Sequence, residues 1–302
     1  MAASFQFSPE QFLSDLKTTA DALGAPYSES VARAVLDAYS DCFRSGAVLW
    51  RATDRADDPL NYRFYERRHT DTVGAAVRAG LLRADNPLIG LISSWSALYG
   101  AESTELVDFD AGRGIAKTWV FLGGMRPVGE VLGAPAVPEA FRRHEPRFRA
   151  LGLTSVRHVA VDYPGNTANL YFRTSHRITR DDAERLISLA HGKPPGPSLF
   201  TDMRTFTPPD GYTFSVTMGL ADGEIQRVGF YALRLPAGRL PAVGERLTSF
   251  FRTSPSRDDE ETNIVAWSFG RGGENYIKAE HSYCGGLSGL MKSWRSPMTA
   301  AR

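Results

Sequence analysis

The sequence predicts an α+β fold in which ten antiparallel strands close into a single barrel ringed by α-helices. Three observations predict it. The hydrophobic period alternates between helical and strand spacing five times along the 302 residues, as five ααββ repeats. Short turn-forming stretches join the two strands of each repeat, so neighbours run antiparallel. No linker or low-complexity segment divides the chain, so residues 1–302 read as one domain. A sheet of this size tends to curl, and closure with helices outside removes both exposed edges.

The elements follow in order. Ser8 caps a helix from Pro9 to Leu23, with Phe12, Leu13, Leu16 and Ala20 on one face, and Gly24 and Pro26 stop it. A second helix starts near Ser28 and runs to Gly46. Ala47–Thr53 and Asn61–Arg67 read as the first strand pair around a polar stretch. Asp71–Leu82 and Pro87–Tyr99 read as helices, then Thr104–Phe109 and Ile115–Leu122 as strands around Gly112 and Gly114. A short helix near Val128–Leu132 and a longer one near Pro138–Leu151 come next. Ser155–Tyr163 and Thr167–Arg173 form a hairpin with Pro164-Gly165-Asn166 as its turn. Asp181–His191 and a weaker stretch near Leu199 are helical. Tyr212–Gly219 pairs with Ile225–Leu235 around Asp222-Gly223. Leu240–Phe251 is helical, Val265–Phe269 pairs with Tyr276–Tyr283, and Leu287–Trp294 closes the chain as a helix.

Composition narrows the function classes. Lys and Arg number 35 against 34 Asp and Glu, a net charge of +1, which argues against a nucleic-acid binder held by bulk charge. No apolar run reaches the ~18 residues of a membrane span, and no signal peptide is visible. Cys42 and Cys284 make neither a disulfide framework nor a zinc site. A soluble cytoplasmic protein is the expectation.

Strand parity then sorts the charges by face. Arg51 groups with Leu49 and Thr53, and Arg63 with Asn61 and Tyr65. Lys117 groups with Trp119 and Phe121, and Asn169 with Tyr171 and Arg173. Arg157 groups with Val159, Val161 and Tyr163, Arg227 with Gly229 and Tyr231, and Lys278 with Glu280 and Ser282. Every hairpin thus sets a basic residue among aromatic or amide side chains. If helices cover the other face, these cations line a lumen and require an anion there, because buried unpaired charge is costly. Cations with hydroxyls and an amide suit a diphosphate, and aromatic walls suit an apolar or cationic portion of the same ligand.

Other signals are set aside. The acidic runs Asp181-Asp182 and Asp258 to Glu261 do not complete an aspartate-rich magnesium motif and read as caps or solvated loop. Gly112-Arg113-Gly114 and Gly270 to Gly273 read as turns. The histidines lack metal-ligand spacing, and His281 faces away from Glu280 on a regular strand. Trp267 and Phe269 read as core.

At these residues the sequence resembles the soluble aromatic prenyltransferases of the ααββ-repeat, or ABBA, family, whose fold is the PT barrel. Within it the likeness is to the 4-hydroxyphenylpyruvate 3-dimethylallyltransferases of aminocoumarin antibiotic pathways. The carrying stretches are LWRATD, LNYRFYERR, FDAGRGIAKTWVFLGGMRP, VRHVAVDYPGNTANLYFR, IQRVGFYALRLP, ETNIVAWSFGRGG and YIKAEHSY, spread over nearly the whole chain. The resemblance implies that Arg51, Arg63, Lys117, Asn169, Tyr171, Arg227 and Lys278 bind a prenyl diphosphate. It implies acceptor contacts at Arg157 and Glu280, and at Tyr65 and Thr217, where the residue types depart from relatives. Arg63 replaces the aspartate of magnesium-dependent relatives, so the resemblance implies a metal-independent enzyme with no cofactor, acting as a monomer. Trp119, Phe121 and Tyr231 would shield an allyl cation, with Glu280, Arg63 and Lys117 serving catalysis. The donor implied is dimethylallyl or geranyl diphosphate. The acceptor implied is a phenol such as 4-hydroxyphenylpyruvate, with dihydroxynaphthalenes, flaviolin or phenazines as alternatives. A non-catalytic isoprenoid-binding barrel is the reading of another class, and the set of lumen cations argues against it.

Overall fold

The computed structural model describes residues 7–66, 68–236 and 238–293. Ten strands close into one antiparallel barrel in which each strand pairs with its chain neighbours and the last pairs with the first. The first repeat comprises α1 (Pro9–Leu23), α2 (Glu29–Ala38), α3 (Ser40–Ser45), β1 (Ala47–Thr53) and β2 (Asn61–Tyr65). The second comprises α4 (Thr72–Arg78), α5 (Ile89–Tyr99), β3 (Thr104–Asp110) and β4 (Gly114–Pro127). The third holds α6 (Val128–Leu132), α7 (Glu139–Arg142), α8 (Glu145–Ala150), β5 (Ser155–Asp162) and β6 (Thr167–Arg173). The fourth holds α9 (Arg180–Ile187), α10 (Pro197–Phe206), β7 (Thr213–Gly219) and β8 (Ile225–Ala232). The fifth holds α11 (Gly244–Thr253), β9 (Asn263–Gly270) and β10 (Asn275–Cys284), and α12 (Leu287–Ser293) follows.

Local chemistry sets the boundaries. Ser8 caps α1 by accepting from the Gln11 amide at 3.4 Å, and Gly24 ends the helix at φ 61°. The helix expected from Ser28 to Gly46 is two, because Tyr39 leaves helical geometry at φ −124° and donates its hydroxyl to Thr72 O at 2.8 Å. The helix expected from Pro138 to Leu151 also divides: Pro146 has no amide to continue a helix and instead opens α8. Residues 240–243 are not helical, since Pro241 disfavours helical geometry at the residue before it. The ends of the expected elements at Arg67 and Trp294 lie outside the described residues.

Outward-facing strand residues pack on the helices as the main apolar core. Phe12 of α1 stacks on Trp50 with centroids 5.0 Å apart, and meets Tyr62 and Tyr283 edge-on. Trp267 and Phe269 lie in this outer core, as expected. His281 also faces outward, hydrogen-bonded to Asn263 at 2.6 Å. The acidic runs have structural partners: Asp182 completes a capping box with Thr179, and Asp258 accepts from the Gly286 amide at 2.8 Å. Inside the barrel a second, smaller apolar cluster holds Leu106, Trp119, Phe121, Ala160, Tyr171, Tyr231 and Ala266.

One parity expectation fails. Arg157 does not share a face with Val159, Val161 and Tyr163, which pack outward in the helix-facing core. The β5–β6 register shifts between Val156 and His158. That bulge inserts Arg157 as an extra residue, and His158, opposite Tyr171, turns inward beside it.

Candidate active site

The barrel has two unlike ends. The strands meet hairpin turns at one and helices at the other. Arg51, Lys117, Arg227 and Lys278 lie on four different strands, all toward the hairpin end. Each of the two lysines feels the others' charge: Lys117 is opposed by Arg51 and Arg227, and Lys278 by Arg227, Arg51 and Lys117. Burial is the larger effect for both and favours the neutral amine. It pushes Lys117 down despite Asp162, whose carboxylate is 3.5 Å away, and takes Lys278 to about 7. Thr217 Oγ1 donates to Asn169 Oδ1 at 2.6 Å, leaving Asn169 Nδ2 without a partner among the described residues. Arg227 Nε has none either. The four cations, with unmatched donors at Arg227 Nε and Asn169 Nδ2, form a bowl suited to an anion. Thr217, expected at the acceptor, stands beside the bowl, because the register sets it opposite Asn169 and Arg227.

Arg63 is differently placed. Its guanidinium binds Asp108 through Nε and, at 2.9 Å, through Nη2, and reaches Glu280 at 3.1 Å and the Tyr65 hydroxyl at 2.7 Å. Only 2% of its side chain is exposed. Burial opposes its charge, but Asp108 and Glu280 outweigh that and hold its pKa well above the ordinary value. Arg63 is therefore no open cation but the centre of a buried Asp108–Arg63–Glu280 network. Asp108 was absent from the expected site, yet parity on Leu106, Asp108 and Asp110 carries the signal.

An aromatic belt lies beside this network. Trp119 packs on Tyr171 with centroids 4.4 Å apart, and Tyr171 meets Tyr231 edge-on at 5.8 Å. Cations touch both sides of the belt: Arg63 sits 4.5 Å and Lys117 5.4 Å from the Trp119 ring, and Lys278 6.0 Å from that of Tyr231. Tyr171, expected on the diphosphate, is thus in the wall between the two ends. Phe121 lies beyond it, against His158 at 5.1 Å and under Arg157 at 5.5 Å.

A cavity of about 760 Å³, its open mouth included, extends from the belt toward the helix end. Trp119, Tyr171 and Tyr231 wall one side, and Arg63, Glu280 and Tyr65 enter from the network. Arg157, His158 and Arg173 supply polar groups at its far part. Leu233, Ile264 and Met291 make the rest apolar. Helix α12 plugs this end, with Leu287, Leu290 and Met291 against Ala47 and Leu49. Among the described residues no three His, Cys, Asp or Glu side chains converge as metal ligands, and no helix is long and apolar enough to cross a membrane. Burial pushes the Cys42 and Cys284 thiols up to about 12, so neither is a ready nucleophile.

Residues 7–295 match the family described as aromatic prenyltransferase Orf2. The chain belongs to that family. The enzyme is 48% identical to an aromatic prenyltransferase of Sclerotinia sclerotiorum over 98% of its own length and 97% of the relative's. It is 41% identical to the 4-hydroxyphenylpyruvate 3-dimethylallyltransferase of Streptomyces niveus, covering 96% of this chain and 89% of that one. The prenyltransferase also superposes on 5-dimethylallyltryptophan synthase from Streptomyces coelicolor with a TM-score of 0.60. That match spans 90% of this chain and 96% of the other at 15% identity, and shows a shared barrel fold. This aromatic prenyltransferase is a PT-barrel enzyme, with the architecture its repeats predict and in the family its motifs resemble.

Proposed function

We propose that the enzyme transfers a dimethylallyl group from its diphosphate to the carbon ortho to the hydroxyl of a carboxylated phenol such as 4-hydroxyphenylpyruvate, without a metal ion. One observation carries the reading: the lumen is polarised, with an anion bowl at one end, a carboxylate-bearing cavity at the other and an aromatic belt between. The similarity to the Streptomyces niveus enzyme supports this acceptor class.

The diphosphate binds Arg51, Lys117, Arg227, Lys278 and Asn169 Nδ2. The bond from the allylic carbon to oxygen breaks, and its electron pair leaves with the diphosphate, whose growing charge these groups stabilise. They supply the positive charge that a divalent cation would otherwise bring. Trp119, Tyr171 and Tyr231 face the allyl cation and keep water from it. The ortho carbon of the phenol attacks and a carbon–carbon bond forms. The ring then loses its proton, which Glu280 or the departing diphosphate accepts. Arg63 fixes Glu280 from behind, and Arg157 meets the acceptor carboxylate.

Steady-state assays in EDTA test the metal claim, with unchanged turnover expected and abolition contradicting it. Lys117→Ala tests the bowl: a rise of about tenfold or more in donor KM is expected, and wild-type donor kinetics would remove Lys117 from the site.

A further inference from the structure

The far part of the cavity holds a cation that the site described so far does not use. Arg173 ends β6, its side chain only 3% exposed, and it lines the cavity together with Arg157, Thr213 and Tyr231. None of its three guanidinium nitrogens has a hydrogen-bond partner among the described residues. The nearest carboxylate, Asp210 in the loop before β7, is 3.9 Å away, beyond hydrogen-bond reach, and is itself 36% exposed. Burial pushes Arg173 down to about 10, with Asp210 offsetting it in part, and Arg157 to about 10 as well, with Arg173 adding to the effect. Arg173 is thus a buried cation on the same cavity wall as Arg157, with its donors unmatched, and such a group is stabilised when an anion completes it.

We infer that Arg173 and Arg157 together clamp the carboxylate of the acceptor, making Arg173 the residue that selects carboxylated over neutral aromatic acceptors. This rests on the proposed acceptor class and assigns it a second anchor. The planar guanidinium of Arg173 offers a carboxylate two parallel donors, and Arg157 reaches the same group or the neighbouring keto oxygen. The bulge at Arg157 makes the clamp, since a regular β5 would turn Arg157 toward the helices. Anchoring at this end sets the phenol ring toward the aromatic belt and Glu280, at the opposite side of the cavity.

The test compares two acceptors that differ only in the anion: 4-hydroxyphenylpyruvate and 4-hydroxyphenylacetone, in which a methyl replaces the carboxylate. The wild type is expected to show a KM at least tenfold lower for the keto acid. In Arg173→Met that preference is expected to shrink by about ten- to a hundredfold, through KM, with donor KM moving less than twofold. Arg173→Lys, which keeps the charge but not the fork, is expected to fall between, and it carries the test if the methionine variant does not fold. An equal rise in KM for both acceptors assigns Arg173 a structural role and overturns the inference, as does an unchanged preference. A wild type that prefers the neutral ketone overturns the proposed acceptor class itself, which is a separate failure read before any variant is made.

Discussion

Lys278 shows how a single side chain couples the site to solution pH. It keeps some accessible surface but sits inside the barrel, where burial first and then Arg227, Arg51 and Lys117 bring it to about 7. A bound diphosphate reverses that balance and restores the proton. The free enzyme therefore loses its charge at Lys278 as pH rises through about 7, and donor affinity falls with it, by up to about tenfold per pH unit. Lys278→Arg stays charged, so calorimetric titration with a non-hydrolysable donor analogue is expected to give a flatter profile above neutrality. A wild-type affinity independent of pH from 7 to 9 would contradict the assignment. Arg63 has the opposite character, because its charge is already matched. Asp108→Asn leaves that guanidinium buried with one carboxylate fewer, and a loss of about 3–5 kcal/mol on chemical denaturation is expected. At this scale much of the lumen was legible: parity set each hairpin's basic residue on a face with aromatic or polar neighbours, and the family resemblance gathered Arg51, Lys117, Asn169, Arg227 and Lys278 into one set. Arg157 was grouped with the wrong neighbours because a bulge is a one-residue event with no signature in hydrophobic period.

Among the elements, α12 has the clearest consequence for function. Gly285 and Gly286, at φ 89° and 70°, turn the chain from β10 back across the barrel end, where a Cβ at Gly285 would collide with Gly46 O. Leu287, Leu290 and Met291 then seal Ala47 and Leu49, and Met291 lines the acceptor cavity. Truncation after Gly285 removes this burial, worth roughly 3–6 kcal/mol by apolar area, and opens the cavity to water. A lower melting temperature and a rise of about tenfold or more in acceptor KM are expected, against a smaller change in donor KM. Equal effects on both substrates would deny α12 a role at the acceptor end. The helix itself was readable from its spacing, but its position was not. Nothing local says which end of a barrel a closing helix covers. The breaks at Tyr39 and Pro146 show the same limit from the other side: apolar spacing continued through both, while a tertiary hydrogen bond and a missing amide ended the helices.

At the scale of the whole molecule, a net charge of +1 conceals a strongly divided interior. The cations of the lumen are offset by an exterior of mixed sign, and the barrel separates them into a bowl of four at the hairpin end, Arg63 matched by Asp108 and Glu280, and the pair Arg157 and Arg173 in the cavity. Closure of the sheet produces the separation, because every strand contributes inward side chains at both ends and no edge is left for solvent to enter. In the proposed reaction this division brings a prenyl diphosphate and a carboxylated phenol together across the aromatic belt. The most direct test incubates the purified enzyme with dimethylallyl diphosphate and 4-hydroxyphenylpyruvate in EDTA and resolves the products by mass spectrometry and NMR. The expected product is heavier by one C5H8 unit and alkylated on the ring carbon ortho to the hydroxyl, with diphosphate released in equal amount. Release of dimethylallyl alcohol alone, or the same acceptor returned unmodified while neutral phenols are alkylated, would contradict it.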